Sequence, residues 1–117
     1  MKPVLKSLDC AEIVQNLAAY RPPEPDNFML YLALSVGADD GDAADLFYLS
    51  VCTPKWLSAH HRGTLFAKAW LIVECYDFQE IKQAIQKLLN SINGDNWHEI
   101  AGKLNRYTDW EFEDYRP

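Results

Sequence analysis

Adjacent imidazoles at His60 and His61, a thiol at Cys52 directly ahead of Thr53 and Pro54, and two groups of carboxylates are the side chains with chemistry to offer. Paired imidazoles can ligate a metal or relay protons. Consecutive helical residues project about 100° apart, however, and no Cys, Asp or Glu stands three or four residues beyond either histidine to complete a ligand set. His98 is equally isolated. Cys52 would gain nucleophilicity at a helix N-terminus, where the dipole lowers a thiol pKa. It closes an apolar run, "LFYLSVC", with no nucleophile–base signature around it, so it reads as a buried structural thiol.

The first carboxylate group lies in "GADDGDAAD", with Asp39, Asp40, Asp42 and Asp45. A calcium loop of the EF-hand kind needs glycine sixth and a bidentate glutamate twelfth. Counting from Asp39, glycine falls third, as Gly41, and Ser50 occupies the twelfth place. The segment reads instead as a solvated loop between two strands, or as a contact for a cationic partner. The second group, in "WEFEDY" at residues 110–115, interleaves Glu111, Glu113 and Asp114 with rings. As an extended strand it turns Trp110, Phe112 and Asp114 one way and Glu111, Glu113 and Tyr115 the other. The rings then anchor the tail while the two glutamates face out. Exposed carboxylates beside an aromatic supply both a steering field and an interface anchor.

These groups must be held by elements, and the apolar spacing indicates which. "FMLYLALSV" puts Phe28, Leu30, Leu32, Leu34 and Val36 on one side of a period-2 pattern, the mark of a central strand. "LFYLSVC" resumes as strand after the acidic loop, which predicts a hairpin whose register the long connection leaves open. Thr53 caps and Pro54 opens a short helix that swings Trp56 and Leu57 against the sheet and ends at Arg62 and Gly63. "LFAKAWLIVECY" predicts a third long strand, buried on both faces from Ala69 to Val73. Asp77 with Glu80 forms a capping box for a helix carrying Phe78, Ile81, Ile85, Leu88, Leu89 and Ile92. Asn93 and Gly94 provide a left-handed exit and Asp95 a new cap, before a second amphipathic helix through Trp97, Ile100, Ala101, Leu104 and Tyr107. Upstream, Val4 and Leu5 suggest a short strand, and Ile13, Leu17 and Tyr20 follow Asp9 at helical intervals. "RPPEPDN" breaks regular structure as an extended connector. Strands followed by helices predict an α+β fold: an antiparallel sheet of about four strands with two C-terminal helices packed on one face.

With 117 residues, 49% of them hydrophobic, the chain has enough apolar surface for one core and one domain. A formal net charge of −6 argues against nucleic-acid binding, which requires clustered cations, and favours a basic protein partner. Three widely spaced cysteines suit reduced thiols and a cytoplasmic setting. The N-terminus lacks a continuous apolar core for export, and no run approaches membrane-spanning length. No metal or cofactor is expected.

"DLFYLSVCTPKWL" (45–57), "WLIVECYDFQEI" (70–81) and "GDNWHEIAGKLNRYTDWEFEDY" (94–115) together resemble the bacterial immunity protein 8 family of polymorphic toxin systems, from about residue 28 to the end. Thr53, Pro54, Trp56, Trp97, Trp110 and Phe112 are the structural positions of these motifs. The resemblance implies a cytosolic, non-catalytic antidote that binds a cognate toxin domain. It marks no toxin-contact residue. The acidic balance suggests that Asp39, Asp40, Asp42 and Asp45, or Glu111, Glu113 and Asp114, enter a basic cleft of a nuclease-like toxin. The rival readings are an adaptor or regulatory module for another basic protein and, more remotely, a metal-dependent hydrolase assembled from Asp39, Asp42, Glu111 and Glu113.

Overall fold

The alternation around residue 30 governs the architecture: Phe28, Leu30, Leu32, Leu34 and Val36 are all buried, while Tyr31 between them is 44% exposed. A period of 2 with one side in water is what a sheet covered on a single face requires. The computed structural model describes residues 1–13, 16–61 and 63–113. Among these, the elements are β1 (Pro3–Asp9), β2 (Met29–Ala38), β3 (Asp45–Cys52), α1 (Pro54–His60), β4 (Trp70–Ile72), α2 (Phe78–Asn90), α3 (Trp97–Leu104) and β5 (Asp109–Trp110). The strands lie in the order β1-β2-β3-β4, and β5 also pairs with β3. The fold is α+β with a mostly antiparallel sheet, as the order of elements predicts; β3 and β4 run parallel.

The core joins the inner faces of β2 and β3 to Ile81, Ile85 and Leu89 of α2 and to Ile100, Ala101 and Leu104 of α3. The leucine and isoleucine side chains among these each contribute about 1.5–3 kcal/mol by leaving water. β2 and β3 form the expected hairpin, in a register that sets Leu32 against Leu49 and Leu34 against Phe47. Thr53 caps α1 with Pro54 in its first turn; its Oγ1 accepts from the Trp56 N–H at 3.3 Å and from the Phe28 N–H at 3.3 Å. Asp77 caps α2 through the N–H groups of Gln79 and Glu80.

Several local expectations give way. β1 spans Pro3–Asp9 rather than two residues, because a bulge between Leu5 and Ser7 accommodates Lys6. The extra residue brings Leu5 and Leu8, three apart, onto the core face, a spacing that hides the length of the strand from a period-2 reading. Asp9 therefore ends a strand and caps no helix among the described residues. The described residues after it, through Tyr20, form isolated turns rather than a helix, with bonds such as Ala19 N–H to Asn16 C=O at 2.9 Å. The long strand expected across residues 65–76 shrinks to Trp70–Ile72. Ala69, just before it, sits at φ 63°, and β4 leaves Leu65 and Phe66 in solvent at 40% and 97% exposure. α1 buries no residue fully; Trp56 instead leans on Trp70 of β4, with ring centroids 6.2 Å apart. Arg62, expected at its end, lies outside the described residues, and Gly63 follows at φ 90°. α2 ends on Ser91 in a right-handed conformation, so Asn93 and Gly94 provide no left-handed exit, and Asn96 rather than Asp95 caps α3.

Candidate partner-binding surface

The acidic groups singled out by sequence separate into carboxylates that hold the fold and carboxylates that face water. Asp45, at the start of β3, belongs to the first kind. Its Oδ2 accepts from the indole Nε1–H of Trp97 at 2.8 Å and of Trp110 at 3.0 Å. Asn96 caps α3 and so delivers Trp97, whereas β5 pairs Trp110 with Phe47 and stacks the two rings 6.2 Å apart at 9°. One carboxylate thus joins the hairpin, the last helix and the C-terminal strand.

Glu111 and Glu113 are also engaged. The expected strand stops at Trp110 and the chain turns over residues 111–113, so the strict alternation is not realised there; Tyr115, the last residue of that pattern, lies outside the described residues. Glu111 Oε2 accepts from the Leu46 N–H, and the Glu111 N–H donates to the Leu46 carbonyl at 3.0 Å. The side chain takes the place of a further strand on the exposed edge of β3, which would otherwise offer an open donor. Glu113 pairs with Lys68 at 3.2 Å, and Asp109 meets the same ammonium at 3.1 Å. The amide of Asn105 and the Lys68 ammonium hold the Glu113 carboxyl below its usual range. Burial alone would lower the Lys68 pKa, but the two carboxylates outweigh it and raise the value. Phe112 packs edge-on against Trp110 and remains 42% exposed, while Asp114 lies outside the described residues.

Asp39, Asp40 and Asp42 differ. They are exposed, and no partner meets their carboxylates among the described residues. Their backbone is nevertheless pinned. Lys6 Nζ donates to the Gly41 carbonyl at 2.8 Å, and Gly37 lies so close beneath the loop that an added Cβ would stand 2.0 Å from the Ala43 carbonyl oxygen. A fixed backbone presenting three solvated carboxylates is suited to meeting a cationic surface with little ordering cost.

The remaining candidates have structural uses. His60 stacks on Trp56 at 4.2 Å, and its Nδ1 lies 2.8 Å from the Trp56 carbonyl. His61 meets Trp70 edge-on at 5.7 Å. Cys52 is fully buried, and burial pushes its thiol above the ordinary value. Among the described residues, no three His, Cys, Asp or Glu side chains gather closely enough to hold a metal ion. No helix there is long and apolar enough to cross a membrane. Lys68, the organiser of Asp109 and Glu113, escaped the sequence reading because it lies 41 and 45 residues from them and inside an apolar run.

A sequence model of the family described as Immunity protein 8 matches residues 3–115. It takes in β1 and the connector up to residue 27, which the motif resemblance leaves out. No curated protein and no solved structure matches the chain.

Proposed function

The chain belongs to the Immunity protein 8 family, and from that premise we propose that it binds a cognate bacterial toxin domain and neutralises it by occupation, without catalysis. The family indicates an immunity protein and hence a toxin partner. The observation supporting an electrostatic mode is the loop between β2 and β3, where Asp39, Asp40 and Asp42 stand unpaired among the described residues on a backbone tied down at Gly37 and Gly41. In this reading the loop approaches a basic cleft of the toxin, such as a nuclease uses for its substrate, and blocks entry. Asp45, Glu111 and Glu113 act behind it by holding the surface in place, and Asp114 extends the negative field. The protein works in the bacterial cytoplasm, as the antidote of a contact-dependent or related polymorphic toxin system.

Replacing Asp39, Asp40 and Asp42 together with lysine tests this. In a titration against the purified toxin domain encoded beside the chain, the triple variant should bind at least about tenfold more weakly, and wild-type affinity should decline with salt. Undiminished and salt-insensitive affinity would overturn the electrostatic mode.

A further inference from the structure

The sheet has a second face, opposite α2 and α3, whose composition is unusual for a surface in water. The outward positions that reach solvent are Met29, Tyr31, Ala33 and Ser35 on β2, Leu46, Tyr48 and Ser50 on β3, and Trp70 and Ile72 on β4, whereas Cys52, in the row of Met29 and Ile72, is fully buried. None is charged. A solvated sheet face is normally filled with charged or long polar side chains, so a face without them is a surface prepared for contact. Tyr31 and Tyr48 stack across the β2–β3 pair, with ring centroids 5.5 Å apart and planes within 2°. Each ring lies beside a small neighbour on the facing strand, Ser50 opposite Tyr31 and Ala33 opposite Tyr48. Trp70 stands in the same row as Tyr31 and Ser50, with the serine between the two aromatic residues.

Among the described residues charge enters at the edges: Lys6, at the β1 bulge, ties its ammonium to the Gly41 carbonyl, and carboxylates close one row. The row through Ala33 and Tyr48 begins with Asp9 on β1 and finishes with Asp109 on β5. Asp9 is exposed and unpaired among the described residues, and Asp109 shares Lys68 with Glu113, leaving two carboxylates to one ammonium. The Tyr31 phenol reports the local field: burial first, and then the nearby Asp109 carboxylate, raise its pKa.

We propose that this face is the principal docking surface for the toxin domain, and that it receives an arginine- or lysine-bearing segment laid across Tyr31 and Tyr48 between Asp9 and Asp109. The inference rests on the immunity reading above and adds the surface and the chemistry it selects. Stacked tyrosines provide rigid area and a negative π-face, and the flanking carboxylates complement the charge of a guanidinium placed on it. The acidic loop then steers the encounter, and the aromatic face retains the partner.

The test is a titration of the purified toxin domain with single variants, each checked by its thermal unfolding transition. Tyr31→Ala should weaken binding roughly ten- to a hundredfold, as loss of an aromatic anchor does, and Tyr31→Phe should stay within about threefold. Asp9→Lys, a change on an exposed side chain that leaves the core untouched, should weaken it roughly tenfold and carries the test should Tyr31→Ala fail to fold. A wild-type chain that does not bind the toxin domain would overturn the immunity reading itself. Wild-type binding that survives both Tyr31→Ala and Asp9→Lys, or that is lost instead in Phe66→Ala, would overturn the docking face and leave the immunity reading standing.

Discussion

At the scale of single residues, the two C-terminal tryptophans depend on one acidic side chain. The indole N–H groups of Trp97 and Trp110 are partly buried and share Asp45 Oδ2. Asp45→Ala removes the acceptor for both, and two desolvated donors left without partners cost more than the bonds contributed. The expected loss is about 2 kcal/mol in urea unfolding, with Asp45→Asn losing less because an amide oxygen remains. Lys68 offers a second check, through pH. Glu113 has a lowered folded-state pKa, so its contribution is present above the unfolded value and disappears as pH falls through the folded one. Lys68 has a raised value, so its contribution is present below the unfolded lysine range and is lost as pH rises through the folded pKa. The pair is thus complete between the ordinary glutamate and lysine ranges. In Lys68→Met, the Glu113 carboxyl resonance should titrate at higher pH than in wild type, though still below the ordinary range because the Asn105 contact persists. An unchanged titration curve would show that Lys68 does not control this carboxylate.

At the scale of elements, the hairpin of β2 and β3 decides where the acidic loop points. Its connection folds back over Gly37, where a side chain would collide with the backbone of Ala43 rather than with a movable group. Gly37→Ala should therefore destabilise the fold by about 1–3 kcal/mol, measured by chemical denaturation, and displace residues 39–44 in amide chemical shifts. An alanine accommodated at no cost would mean that the loop is not held against β2. The same hairpin separates what is legible in a sequence from what is not. The alternation of "FMLYLALSV" predicts the buried side of β2 residue by residue, and the caps at Thr53 and Asp77 start helices where polar side chains can satisfy N–H groups. The lengths of β1 and β4 were illegible for different reasons. A bulge breaks the period of β1, whereas the apolar run before β4 is spent partly on solvent-exposed Leu65 and Phe66.

At the scale of the whole molecule, one sheet face builds the core, and the other, with the acidic loop at its end, is the one proposed to meet a partner. A net charge of −6 acts over a Debye length, about 8 Å at physiological ionic strength, and so affects encounter more than retention. Lysine at Asp39, Asp40 and Asp42 should consequently act mostly on the association rate and its salt dependence, whereas loss of the Tyr31 ring should act on dissociation.

The sequence by itself determined the fold class, the inward face of β2, the starts of α1 and α2 and the acidic character, because each depends on composition or on neighbours a few residues apart. Its motifs also carried the family, which the match over residues 3–115 extends toward the N-terminus. Only the tertiary structure decided which carboxylates are engaged and which stand unpaired among the described residues. Asp45 meets indoles 52 and 65 residues away, and Glu111 meets Leu46 across 65 residues. Such pairings follow from strand register and the path of the chain between elements, which no local pattern encodes.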